Sequence, residues 1–225
     1  SLPGPGPEEL SGVLGDLMGH LVDLAHYLVG PVTDVCALTS TVYAERPEPP
    51  EGAATHFDVA EGGPCGPVEN EDYAGMLVRF SGGAIGTLEA SRVAVGRRAS
   101  YELEVYGTQG SLSWNFQRMN ELRLALRSQG EHVGFTPVMA DPGWGDYARF
   151  QPGAGTGMGY DDLKVIEGKR FLSALTGGPA LNCTIHDAVA ASRVVDAAEA
   201  SATSGAWQTV PATAHTTAAD QGALT

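Results

Sequence analysis

One segment holds the residue types that proton transfer needs. In GVLGDLMGHLVDLAHYLVG, residues 12–30, Asp16 is followed by His20 and then by Asp23 at helical spacing. On an α-helix of roughly 100° per residue, with Asp16 at zero, His20 falls at about +40°, Asp23 at about −20° and Tyr27 at about +20°. On the same wheel Leu17, Leu21, Leu24 and Leu28 centre at about +110°. The spacing predicts a helix over 15–29 with two carboxylates and an imidazole on one stripe, beside the apolar face rather than opposite it. An imidazole can take or give a hydroxyl proton near neutral pH, and a carboxylate one turn away orients it and favours its charged form. Polar groups at a core boundary need hydrogen-bond partners, and a wet concave site is one way to supply them.

Two plainer readings of the stripe stand beside that one. Asp16 can serve only to favour the helix N-terminus through the dipole, with His20 a satisfied boundary histidine. Alternatively Asp16, His20 and Asp23, with His26, can ligate a cation. His26 lies at about −80° on the wheel, away from the others, and no HExxH-type pattern is present, so no metal site is assigned.

The elements that must position this helix follow from pattern. Gly30-Pro31 stops it. Residues 33–46, rich in Thr, Val and Ala, read as a long strand. Residues 47–70 hold too much Pro and Gly for a regular element and read as a surface excursion. DYAGMLVRFSGGAIGTLEASRV reads as two strands joined at Ser81-Gly82-Gly83, a hairpin signal. SYELEVYGTQGSLSWNF repeats it with a turn at Gly107 to Gly110. NELRLALRS alternates as a strand buried on one face. Helices are expected over 160–176 and 184–204, the second capped by Thr184 and Asp187. The fold class expected is therefore α+β: a largely antiparallel, open-faced sheet with helices packed on one side. A linker is expected over 1–11, the sheet domain over 12–211 and a disordered tail over 212–225.

Other residues are softer candidates. Tyr160 and Asp161 begin a helix after a glycine-rich loop and can reach a substrate hydroxyl; the plain reading is that Asp161 favours the helix N-terminus. Lys164 reads as a solvated lysine. Trp144, Tyr147 and Phe150 can wall a sugar ring or pin their loop. Arg92, Arg97 and Arg98 read as a solvated edge or subunit contact. GAGTGMG at 153–159 has the glycines of a phosphate turn but no apolar strand before it, so it reads as a substrate-side loop and no cofactor-binding residue is assigned.

Composition narrows the partners. The 225 residues, 43% hydrophobic, suffice for one large domain or two small ones. A formal net charge of −14 argues against a nucleic-acid groove and against docking on an anionic membrane. Cys36, Cys65 and Cys183 show no CxxC spacing and imply neither a disulfide framework nor a zinc site. With no apolar run near the roughly 18–20 residues of a membrane span and no basic-then-apolar leader, a cytoplasmic location is expected.

The pattern DxxxHxxDxxxxLxG, read as Asp16, His20, Asp23, Leu28 and Gly30, resembles the opening helix of the C-terminal domain in the Gfo/Idh/MocA family of glucose–fructose oxidoreductases and inositol dehydrogenases. ENEDYAGMLVRFSGGAIGTLEAS resembles that family's hairpin and YELEVYGTQGSLSW its next strand pair. GYDDLKVIEGKRFLSALTGG and the helix from Thr184 to Ser204 resemble its closing helices, and Trp207 to Pro211 its last strand. The chain departs from the family pattern at Met18, where glycine is common; here Gly19 precedes His20 instead.

The resemblance implies a complete subunit in which a Rossmann domain precedes this one. Such a subunit oxidises a CH–OH group of a sugar, anhydrosugar or polyol such as an inositol, with NAD or NADP. It implies that Asp16 and His20 work with a lysine from a Glu-Lys-Pro motif of the Rossmann domain, which has no counterpart here, so this chain alone is expected to be inactive. A homodimer or homotetramer through the open sheet face is implied as well. Two alternatives stay open: a non-catalytic oligomerisation or binding module on the same scaffold, and a metal-dependent hydrolase or isomerase using Asp16, His20 and Asp23.

Overall fold

The apolar period from Leu14 to Val29 does produce a helix, but it opens with a single π-turn, Leu14–Met18, before continuing as α1, Gly19–Val29. In this computed structural model the described residues are 12–48, 63–128, 134–179 and 182–212. The linker expected over 1–11, part of the excursion at 49–62 and the tail beyond 212 lie outside them. Gly30, at φ 117°, ends α1 in a backbone region that side chains disfavour.

Strands then follow in antiparallel pairs. They are β1 (Val32–Ser40), β2 (Glu45–Pro47), β3 (Cys65–Pro67), β4 (Tyr73–Phe80) and β5 (Ile85–Ser91). Next come β6 (Glu102–Tyr106), β7 (Gly110–Asn115), β8 (Glu121–Leu126) and β9 (Thr136–Met139). Helices α2 (Tyr160–Leu175) and α3 (Ile185–Ser204) and the short β10 (Gln208–Thr209) complete the order.

Two expectations need correction, and one strand was not foreseen. The strand foreseen over 33–46 is broken after Ser40, because the Val42 and Tyr43 amides leave the ladder and donate to the Asp72 carboxylate at 2.9 and 3.0 Å. The 47–70 excursion contains a regular piece, β3, which pairs with β2 at Arg46↔Gly66. The strand β9 had no sequence signal: it carries Pro137, which sheets tolerate at an edge, and β9 is the edge strand beside β8.

The described residues form two compact units. The first combines residues up to 94 with those from 184 onward. Its sheet runs β10-β1-β4-β5, and α1 and α3 cover one face. Val35, Met76 and Val78 of the sheet meet Met18 and Val22 of the first helix and Val194 and Ala198 of α3 in the core. Ser201, fully buried on α3, accepts from Ala37 N of β1 at 2.9 Å and donates to Ala206 O at 2.7 Å. The opposite face leaves Leu38, Leu77 and Ile85 exposed.

The second unit, residues 95–183, holds the sheet β6-β7-β8-β9 and α2. Register places Leu103, Trp114 and Leu122 in line on one side, and Glu104, Ser113 and Arg123 in line on the other. The α+β class with antiparallel open sheets is as expected; the described strands divide between two four-stranded sheets and the β2–β3 pair.

Candidate active site

The helix that carries the stripe begins where Glu71 tells it to. A helix start leaves N–H groups without intrahelical partners. Here Gly12 N and Leu14 N donate to the two Glu71 carboxylate oxygens at 3.1 and 2.8 Å, and Val13 N donates to the Glu71 carbonyl at 3.1 Å. A side chain at residue 12 would put Cβ 2.3 Å from the Glu71 carbonyl oxygen, so Gly12 permits this approach.

The wheel needs correcting at this point. The residues locked into the core are Val13, Leu14, Met18 and Val22, with Leu17, Leu21, Ala25 and Val29 packed against them. Leu28 is exposed. The stripe of Asp16, His20, Asp23 and Tyr27 therefore lies opposite the buried face, not beside it. The run of four leucines misled the phase, because the smaller set reaching β1 and β4 sits a quarter-turn further round. A π-turn also winds less per residue than an α-helix, which shifts Asp16 relative to the residues after it. Met18, the departure from the family pattern, is fully buried and belongs to packing.

Asp16 and His20 are both exposed, and Asp23 is half-buried. Asp16 makes an ion pair with Arg92, Nη2 to Oδ2 at 3.5 Å. Arg92, read from sequence as a solvated edge, is thus part of this neighbourhood; Arg97 does fit that reading, pairing with Glu102 at 2.7 Å on an exposed surface. Arg92 N also donates to the Asp72 carbonyl at 3.0 Å.

The Asp72 side chain is fully buried beside Arg46, with which it forms an ion pair. Burial is the largest influence on it and opposes ionisation. The Tyr43 and Val42 amides together with the Arg46 and Arg92 guanidiniums outweigh that effect and hold the carboxyl below its ordinary range. On the other flank of α1, burial lowers the His26 pKa below the usual 6.5, against the pull of Asp23 and Asp187. His26 Nε2 is buried with no hydrogen-bond partner among the described residues. Among the described residues no group of three or more His, Cys, Asp or Glu is placed to hold a metal ion.

Tyr160 and Asp161 stand at the start of α2 in the second unit, and both are exposed. Tyr160 packs edge-on against Phe116 with ring centroids 6.1 Å apart. The α2 N-terminus is capped by Asp162, which accepts from Gly159 N at 2.8 Å; Asp161 lies in the same first turn, where a carboxylate favours the helix dipole. Lys164 pairs with Glu167 at 2.7 Å. Trp144 is exposed, whereas Tyr147 lines a cavity of about 230 Å³ with Trp114, Asn120, Ala140, Met158 and Leu163. The glycine-rich segment 153–159 is tied down by Asn120, whose side chain exchanges two hydrogen bonds of 2.9 Å with the Met158 backbone. That segment follows a 3-10 turn, Gly145–Arg149, and leads into α2 without an intervening strand.

Comparison with known proteins gives a consistent set. The sequence model described as GFO/IDH/MocA C-terminal domain matches residues 6–113. A levoglucosan dehydrogenase of Pseudarthrobacter phenanthrenivorans is 36% identical over 203 residues, which cover 89% of this chain and 52% of that protein. Among solved structures, levoglucosan dehydrogenase in complex with NADH and L-sorbose superposes with a TM-score of 0.80 at 34% identity, over 89% of this chain and 50% of that one. An NAD binding oxidoreductase from Klebsiella pneumoniae gives a TM-score of 0.79 at 34% identity, over 90% and 52%. The chain spans about half the length of the relatives it matches. No helix among the described residues is long and apolar enough to cross a membrane.

Proposed function

The chain belongs to the GFO/IDH/MocA family and carries its C-terminal domain, and from that premise we propose that it presents a sugar, anhydrosugar or polyol to a nicotinamide held by the other half of a complete NAD- or NADP-dependent dehydrogenase. The observation that carries this reading is the Asp16–His20 stripe. It lies exposed on a helix whose opposite face is fixed in the core, in a chain 36% identical to a levoglucosan dehydrogenase. An anhydrohexose is the substrate class we favour, since one related structure holds levoglucosan with NADH.

Segment 153–159 has no strand before it and so is not a strand–turn–helix cradle for a dinucleotide. The chain's share of the work is the substrate side. When bound, the nicotinamide supplies the hydride acceptor for the carbinol carbon. His20 takes the hydroxyl proton as the carbonyl forms and returns it in the reverse direction. Asp16 orients His20 or a substrate hydroxyl, and Asp23 binds substrate or supports the helix. Tyr160 and Asp161 are proposed, within the second unit by itself, as residues able to contact a hydroxyl. The exposed Leu38, Leu77 and Ile85 face of the first unit is proposed as the surface through which copies associate.

The test is turnover of the complete enzyme with levoglucosan and NAD. His20→Ala should lower kcat by about 10²–10⁴-fold, with the fold retained by circular dichroism. Near-parental turnover would remove the acid–base role.

A further inference from the structure

We infer that Arg92 is a positioning residue of this reaction, holding the Asp16 carboxylate in register with His20; the inference rests on the reading of Asp16 as a catalytic group. Asp16 lies on the π-turn with its side chain 68% exposed, so packing does little to fix its direction. The ion pair to Arg92 supplies a direction. Arg92 is itself held firmly: its side chain is 25% exposed, and its backbone N–H donates to the Asp72 carbonyl. It follows directly after β5, whose last residue Ser91 is in register with Tyr73 beside Asp72. Asp72 in turn is immobilised by the Val42 and Tyr43 amides and by Arg46.

A chain of contacts thus runs from Asp72, whose backbone carbonyl accepts from Arg92 N, along the Arg92 side chain to the exposed carboxylate on the candidate catalytic turn. An exposed ion pair contributes little to folding, so stability does not explain a half-buried arginine aimed at Asp16. Orientation does. A reacting group displaced by about 1 Å can lose 10²-fold in rate, and an unrestrained carboxylate on a single turn has that freedom.

The experiment is a double-mutant cycle in the complete enzyme, with levoglucosan and NAD as the assay pair. Arg92→Met keeps most of the side-chain stem and removes the charge. It should lower kcat by about 10–100-fold while KM stays within about threefold. Arg92→Lys, which restores a cation, should recover most of the loss. In an Asp16→Asn background, Arg92→Met should cost no more than about twofold. A raised KM with unchanged kcat would make Arg92 a substrate-binding group and overturn the inference, as would a full penalty in the Asp16→Asn background. If Asp16→Asn alone keeps parental turnover, the catalytic reading of Asp16 falls and this inference falls with it. Should Arg92→Met fail to fold, Arg92→Lys serves in the cycle, and its smaller loss must likewise vanish beside Asp16→Asn.

Discussion

His26 and Asp72 are both withdrawn from water, and they answer pH in different ranges. Burial makes the neutral imidazole the form that the fold prefers at His26. Its folded pKa is below the unfolded value near 6.5, so stability is full above that value and declines as pH falls toward the folded one. His26→Gln should flatten this limb in urea titrations run between about pH 7 and pH 5; parallel curves for parent and variant would show that His26 does not govern it. Asp72 is the carboxylate case. Its folded pKa is depressed, so its contribution holds above the unfolded carboxyl value and is lost only as pH falls through the folded one. At this scale the sequence is informative where partners are local. Asp16 and His20 stand out because their spacing is helical, whereas Arg92 reaches Asp16 only through the hairpin of β4 and β5, and no pattern along the chain joins them.

Elements are set by contacts of two kinds, and only one of them is written locally. The turn at Ser81-Gly82-Gly83 and the Thr184–Asp187 cap of α3 are short-range signals, and each forms where its residues indicate; β8 forms as a strand too, but its expected alternation fails at its end, where Ala125 is buried and Leu126 exposed. The start of the first helix is different, since its amides are satisfied by Glu71, 57 and 59 residues away. Glu71→Ala should therefore destabilise the chain by about 0.5–2 kcal/mol. Gly12→Ala, which forces Cβ against the Glu71 carbonyl, should cost about 1–3 kcal/mol. Denaturant unfolding of this chain measures both; losses under about 0.5 kcal/mol would mean that the helix start does not depend on Glu71. The same distinction explains the misjudged face of α1. Four leucines at helical spacing look like a core seam, yet the strands beneath select Leu14, Met18 and Val22. Proline hid β9, because only its edge position makes Pro137 acceptable.

For the whole molecule, charge and apolar surface pull in opposite directions. A net charge of −14 drives copies apart, while Leu38, Leu77 and Ile85 favour burial against something apolar. Association through that face should strengthen as salt screens the repulsion. Leu77→Lys with Ile85→Glu should yield a monomer by light scattering at concentrations where the parent assembles; an unchanged mass would move the interface elsewhere. The antiparallel α+β class is legible from strand spacing and turn residues, but the division into two units is not, because unit 1 is built from the two ends of the sequence. Residues 95–183 are inserted between β5 and α3. A ribosome adding about 5–20 residues per second takes on the order of seconds to translate that insert. Throughout that interval β1 and β4 have emerged without α3, and Val35 and Val78 wait without the Val194 and Ala198 that will cover them. The nascent chain carries an open hydrocarbon seam until α3 has been translated, the kind of transiently exposed apolar surface that chaperones exist to shield.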